Sequence, residues 1–526
     1  MGMPAPKTTW PPQHLGKAFD QIKHDHALLI GDVNLINEHT AADRPTPNNA
    51  PVSTNWQLNG GIGGSLARAI YGKPRPTRGN TTIQRHLPFP ARIAAVSAGL
   101  MVGEPPRITV HPDDENNTVL VNALDHATSS DRFAADLYQA AVRSSGLGWV
   151  LARIVWDTTV DEHPWIEWVD PDQAVITWSQ GRPTEIIFWD RLTDLEGDKH
   201  VWRLLQLHKA GRVEYALYAG EAENIGHQRP YVDHPDAAYL ADVVDAEQGI
   251  DTGTPYLTAC VLPNREGVHQ WRHYPQLKNL GLSDISAAGG LFADLDKIWT
   301  DFMNEVDSAK SKLLISEELM DVGAPGSGLS FEFDRTIFPV AQGGSADAKP
   351  TLEQVQFKMR VQEYVIALEK TQRQIMDAVG ISPLTLGDDS GVSGAMTATE
   401  VKAKSKSTLD TWRIKARMWR AALSELMTAY LWIEAGIHRV QGPARPVNVA
   451  MREPVQETEL DRSNAVQTLR DSRVMSIETA IERLHPEWTP QEKELEVQRI
   501  KAENAAVDPF TLGADMLPPH AGDLSQ

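Results

Sequence analysis

The sequence predicts an α+β protein built from several structural units. Three observations carry that expectation. Hydrophobicity alternates with a period of two between residues 147 and 220. Three long stretches, 283–310, 351–380 and 397–434, repeat at helical spacing. The chain has 526 residues, more than one hydrophobic core organises.

The totals narrow the function classes. Apolar content of 41% and charged content of 23% are those of a folded globular chain. The formal charge of −20 argues against a protein that coats nucleic acid, because non-specific binding rests on Lys and Arg neutralising phosphates. Local contact with a polyanion remains compatible with it. A single cysteine, Cys260, excludes an internal disulfide framework and fits a reducing compartment. The N-terminal "MGMPAPKTTWPPQHLGKAFD" has no apolar signal core, and no run approaches the ~20 apolar residues of a membrane span.

In chain order, residues 1–54 read as an adaptable arm with one or two helices in "KAFDQIKHDHALLIGDVNLINEH" and turn chemistry after it. "NGGIGGS" (59–65) is a hinge rather than a phosphate loop, since no Lys-Ser/Thr pair follows. "HLPFPARIAAVSAGLMVGEPPRITV" (86–110) predicts a buried helix running into a Pro-bounded strand. Phe133, Leu137, Ala140 and Ala141 then mark a helix over 131–146.

The strands of 147–220 hold seven of the fifteen tryptophans, between Trp149 and Trp202. An antiparallel core or a subunit contact accounts for them more simply than an aromatic platform for sugars or bases. Residues 221–258 read as an exposed acidic excursion. Its His227, Asp233, His234 and Asp236 match no metal-ligand spacing.

The next pattern is a helix over 283–310 with Leu291, Leu295, Ile298, Trp299, Phe302 and Val306 on one stripe. Short strands around "GAPGSG" follow, then a second helix over 351–380. Pro383 stops it, and "TLGDDSGVSGAMTATEVKAKSK" (385–406) passes from a Gly/Ser/Asp loop into a third helix. Thr397 and Glu400 form its capping box.

A helix over 397–434 would run about 57 Å at ~1.5 Å per residue. Lys402, Lys406, Arg413, Arg417 and Arg420 fall on one stripe of about 60° at ~100° per residue. Val401, Trp412, Ala416, Trp419, Leu423, Leu426 and Tyr430 form the packing face. A basic stripe beside a buried seam suits a subunit bridge or a face turned to a polyanion, though a solvated basic face is the plainer reading. Apolar seams longer than one chain covers point to a symmetric oligomer.

A rival reading is a metal-dependent nuclease or phosphotransferase using Asp388, Asp389 and a histidine from 221–258. The absence of a phosphate loop, of HExxH and of carboxylates clustered with Asp388 and Asp389 speaks against it, so neither a metal nor a cofactor is expected.

The ordered set of patterns over roughly 55–505 resembles the portal proteins, or head–tail connectors, of tailed double-stranded DNA phages. It is closest to the siphophage branch. "WRHYPQLKNLGLSDISAAGGLFADLDKIWTDFM" is similar to the entry from wing to first stem helix. "ISPLTLGDDSGVSGAMTATEVKAKSKSTLDTWRIKARMWRAALSELM" is similar to the stem exit, tunnel loop and long helix. "VAMREPVQETELDRSNAVQTLRDSRVMSIETAIERL" is similar to the crown.

The resemblance implies an α+β portal fold with a β-rich wing (55–282) and first stem helix (283–310). A small α/β clip (311–350), second stem helix (351–380) and tunnel loop (381–396) follow. A long helix (397–440), helical crown (441–506) and disordered tail (507–526) complete the chain. Gly387, Asp388, Asp389, Ser390, Gly391, Ser393 and Gly394 would form the tunnel loop. The five cations would face DNA or a neighbouring subunit.

What the resemblance further implies is a non-enzymatic, homo-oligomeric ring of twelve at the capsid portal vertex, present in the host cytoplasm during assembly. Double-stranded DNA would pass through it. Large terminase subunit, major capsid protein, scaffold protein and head-completion adaptor would be its partners, with no membrane involved.

Overall fold

The computed structural model describes residues 2–36, 85–265, 269–309, 312–316, 337–340, 352–355, 359–386, 405–454, 459–472, 474–485 and 490–506. The chain forms two compact units. The first draws on Met1–Asp389 and Ser407–Pro454, the second on Ser390–Lys406 and Val455–Gln526.

The N-terminus is not a loose arm over its described length. Helix α1 (Gly16–Ile30) buries Ala18, Phe19, Ile22, Ala27 and Leu28. Trp10, Leu15, Phe19 and Ile22 join the core of the large sheet described below. Burial of several large apolar side chains, each contributing about 1.5–3 kcal/mol, outweighs the entropy of ordering this segment, which the turn-rich composition had suggested would stay free.

Helix α2 (Phe89–Val102) starts with Pro90 in its first turn and leads to β1 (Arg107–Thr109). Helices α3 (Thr118–Thr128) and α4 (Asp131–Leu147) follow. They are capped by Asn117 and Ser130, whose side chains accept from Leu120 N and Phe133 N. Phe133, Leu137, Ala140 and Ala141 are buried as their spacing requires.

The period-two region forms two antiparallel sheets. One is ordered β10–β2–β3, with β2 (Trp149–Val155), β3 (Trp165–Val169) and β10 (Ala259–Pro263). The other is a meander of β4 (Ala174–Ser179), β5 (Arg182–Arg191), β6 (Val201–Lys209), β7 (Arg212–Glu221) and β8 (Asn224–Arg229). Strand β9 (Gly249–Asp251) pairs with β7. Trp149 and Trp202 are core residues, whereas Trp156 is exposed, so the tryptophans serve packing rather than a continuous platform.

Residues 221–258 depart from the solvated excursion expected of them. Tyr231, Ala237 and Leu240 build a small core with Trp202, Leu204, Leu217 and Ala219. His234 is fully buried, its Nε2 3.0 Å from Thr193 O, and Thr193 donates its hydroxyl to Asp236 at 2.6 Å. Arg212 pairs with Asp245 and Asp251 at 2.7 Å each. Asp236, Asp245 and Asp251 are thereby held by partners distant in sequence.

The helix expected over 283–310 is two helices. Helix α5 (Asp284–Ala288) ends where Gly289 takes a φ of +57°, and α6 (Leu291–Ser308) follows Gly290. Two adjacent glycines carry the largest entropic penalty in a helix interior, and here the first adopts a backbone closed to most L residues.

A three-stranded sheet lies beyond α6. Its strand β11 (Lys312–Ser316) pairs parallel with β12 (Ile337–Val340) and antiparallel with β13 (Leu352–Val355). Residues 352–355 therefore belong to a strand, with Leu352 opposite Ile315, and the returning helix α7 (Val361–Val379) begins later than 351. Among the described residues no helix stands between α6 and α7.

Helices α6 and α7 run antiparallel. Phe292 and Leu295 share a core with Ile375, Met376 and Val379 at one end. At the other, the Phe302 and Tyr364 rings lie 5.4 Å apart and Arg360 pairs with Glu305 at 2.7 Å.

Helix α8 (Lys406–His438) then crosses the first unit, and β14 (Asn448–Ala450) closes a two-stranded sheet on β1. The sheet partner places 448–450 with the first unit, ahead of the 455–526 segment of the second. That segment contains α9 (Glu459–Asp471), α10 (Ile477–Leu484) and α11 (Pro490–Ala506).

Candidate functional site

Helix α8 carries the described part of the candidate site. Ala416, Trp419, Leu423, Leu426 and Tyr430 are buried and Trp412 is half-buried against them, as the packing face read from the sequence requires, while Val401 lies outside the described residues. Their partners include Met101, Leu120, Leu137, Val150 and Val449.

Lys406, Arg413, Arg417 and Arg420 are all exposed. Arg413 is tied to Asp410 at 3.3 Å and to Glu453 at 3.0 Å. Arg417 and Arg420 have no ion-pair partner among the described residues. The four described cations thus divide into Arg413, engaged within the chain, and Lys406, Arg417 and Arg420, which form no ion pair among the described residues. Lys402, the capping pair Thr397 and Glu400, and Gly387, Asp388, Asp389, Ser390, Gly391, Ser393 and Gly394 lie outside the described residues.

One further cation of this helix, Lys415, was not singled out by the sequence. Lys415 is 4% exposed and donates to Asp284 Oδ2 at 2.7 Å and to Ser97 Oγ at 2.8 Å. Asp284, fully buried in the first turn of α5, also accepts from Ser145 Oγ (2.7 Å), Ser97 Oγ (2.9 Å), Asn264 Nδ2 (3.0 Å) and Arg265 Nε (3.1 Å).

Burial alone would push the Asp284 carboxyl up. Lys415 and then Arg265 override it and hold the group well below the usual carboxylate range. The same burial draws the Lys415 ammonium below its ordinary value against the pull of Asp284. The signal in the sequence was positional. At ~100° per residue Lys415 falls beside the packing face, well off the line of the other five.

A second knot ties α1 to the same place. Asp25 accepts from Ser286 Oγ at 2.6 Å, from Gln21 Nε2 at 3.0 Å and from Ser283 Oγ. Ser283 is also the N-cap of α5, accepting from Ser286 N at 2.8 Å. In the first turns of α8, Thr408 Oγ1 accepts from Ser382 N at 2.8 Å and Thr411 Oγ1 donates to Gly380 O at 3.0 Å. The loop just after α7 is thereby fixed to the start of α8.

The arrangement has the chemistry of a scaffold. The buried ion pair of α8 is satisfied by hydrogen bonds and fastens the helix to α5. The class is an α+β structural subunit that carries a charged rod on a rigid frame. Residues 73–509 match the family model for phage portal protein, SPP1 Gp6-like, and the chain belongs to that family.

The family is structural and non-enzymatic, which removes the nuclease reading of Asp388 and Asp389. Three solved structures are similar at 14% identity. The virion of a native gene transfer agent (GTA) particle gives a TM-score of 0.37, with 83% of this chain and 99% of that chain covered. The neck of the empty GTA particle computed with C6 symmetry gives 0.37, with 86% and 97% covered. The neck of the native particle computed with C12 symmetry gives 0.36, with 83% and 99% covered. No curated protein matches.

Proposed function

We propose that twelve copies of this chain form the ring at a capsid vertex through which double-stranded DNA is packaged and ejected. Family membership over residues 73–509 supports the portal role. The observation that carries the channel assignment is the exposed line Lys406, Arg413, Arg417 and Arg420 on a helix whose adjoining face is locked into the core. A −20 chain repels phosphate overall, and a few cations give weak contacts that steer DNA without gripping it.

The antiparallel pair α6 and α7 is the stem in this reading. The three-stranded sheet between them is the clip that docks the large terminase subunit and later the head-completion adaptor. Val361, Val365 and Ile366 on α7 are exposed, and a second copy of the chain covers them in the ring. The major capsid protein and scaffold protein meet the outer, sheet-rich wing. The site of action is the virion portal vertex, reached from the host cytoplasm.

Light scattering tests the ring. Twelve copies of the 58.1 kDa chain weigh about 700 kDa, and a monomer that stays monomeric with scaffold protein present overturns the proposal. Replacing Lys406, Arg417 and Arg420 by Gln tests the channel. Rings are expected to form while packaged-genome yield falls, and an unchanged yield refutes the DNA-facing assignment. Arg413 is spared in this variant because its ion pairs give it a structural part.

A further inference from the structure

The C-terminal turns of α8 meet the β2–β3 loop at a cluster that the portal reading does not use. Glu434 is fully buried and His438 stands one turn further on, on the same face. His163 comes from the loop, its Nδ1 2.8 Å from Glu434 Oε1. His438 Nε2 lies 3.4 Å from Glu434 Oε2. One ligating atom from each residue can be chosen so that all three lie within 4.8 Å of one another.

We propose that His163, Glu434 and His438 bind a divalent transition-metal ion of the Zn²⁺ class, which braces the β2–β3 loop against α8. Two independent observations point to a cation. Glu434 Oε2 is buried and makes no hydrogen bond, and an unsatisfied buried carboxylate oxygen is costly. The carboxylate also sits in the last turns of α8, where the helix dipole is negative, so it adds charge of the unfavourable sign. A metal ion answers both.

The donor set selects the metal. Two imidazoles and a carboxylate suit Zn²⁺, Co²⁺ or Ni²⁺, whereas Ca²⁺ and Mg²⁺ take oxygen shells. The surrounding groups orient the ligands. Tyr430 donates its hydroxyl to Glu434 Oε1 at 2.9 Å, and Asp161 Oδ1 accepts from His163 N at 2.9 Å. The His126 ring lies tilted against that of His163, with centroids 4.4 Å apart. Each histidine must offer an unprotonated ring nitrogen to the metal, so protons compete with it and uptake weakens as pH falls.

The test uses the full chain, freed of metal by chelation and titrated with ZnCl₂ and CoCl₂. One saturable equivalent per chain is expected, with the visible band of tetrahedral Co²⁺ and a raised melting midpoint. His438→Ala and His163→Ala are each expected to weaken binding at least tenfold. His438 is half exposed, so its variant keeps the fold and decides the matter if the His163 variant does not. No stoichiometric uptake by the wild-type chain, or uptake unchanged in His438→Ala, overturns the proposal. Ring mass is measured on the same samples, which separates failure of the metal site from failure of the portal reading.

Discussion

Replacing Lys415 by Met tests whether α8 is fastened to the frame through its buried charge. The change removes the ammonium 2.7 Å from Asp284 Oδ2 and leaves a carboxylate with no exposure to solvent. Breaking a buried pair by removing one partner costs about 3–5 kcal/mol. The lower end applies, because Arg265 at 3.1 Å and three neutral donors still reach Asp284.

At about 2 °C per kcal/mol for a large domain, ~3 kcal/mol lowers the melting midpoint by roughly 6 °C. Thermal unfolding followed by tryptophan fluorescence measures it, since Trp419 donates to Pro263 O close by on the same helix. Adding Asp284→Asn removes the stranded charge, so the double variant is expected to lose less than the two single losses together. Residues that share one network couple by about 0.5–3 kcal/mol. A Lys415→Met protein that melts within ~1 °C of wild type, with additive losses in the double variant, would refute the anchorage.

Two further outcomes follow from the frame around the site. His208 is buried with its Nδ1 2.7 Å from Thr258 Oγ1; burial, then the charge of Arg153, pushes its imidazole down to about 3. Its folded value lies below the unfolded ~6.5, so its contribution is complete above pH 6.5 and is lost as pH falls toward 3. That loss amounts to about 2 kcal/mol by pH 5, and His208→Gln should flatten the acid limb of midpoint against pH; an unchanged limb would assign the acid sensitivity elsewhere. Gly148, between α4 and β2, has a φ of +102°, and a Cβ there would stand 3.1 Å from Ser283 N. Gly148→Ala is expected to cost about 1–3 kcal/mol in guanidinium unfolding, and a neutral result would refute the strain assigned to this backbone.

Elements set by local pattern were legible in the sequence. The packing face of α8 and the buried stripe Phe133, Leu137, Ala140 and Ala141 follow from helical spacing alone. The strands of 147–220 follow from alternation. What was missed depends on partners far away in sequence. Trp10 and Phe19 order the N-terminus only because the meander of β4–β8 offers them a core. Residues 352–355 become a strand only because β11 stands ready to pair with them. His234 is buried by Thr193, forty-one residues earlier. The break at Gly289 and Gly290 was visible in the letters but was outweighed by the apolar stripe on either side. Lys415 was the costliest omission, since a lysine beside a packing face is ordinarily solvated along its stem and only Asp284 tells otherwise.

Anchorage along α8 is distributed, and that decides how its exposed cations can behave. Thr408 and Thr411 hold its first turns to the end of α7, Lys415 pins the next turn to α5, and Trp419 fixes the middle to Pro263. Ser424 then donates to Val447 O at 2.6 Å, and Glu434 meets the β2–β3 loop near the far end. A helix restrained at six points over its length cannot swing or slide without breaking buried hydrogen bonds, each with its own desolvation cost. In the proposed channel, Arg417 and Arg420 would therefore answer a passing polyanion through their side chains alone. Long side chains on a fixed backbone give many weak, quickly exchanged contacts, which is the regime that guides a moving phosphate chain without arresting it.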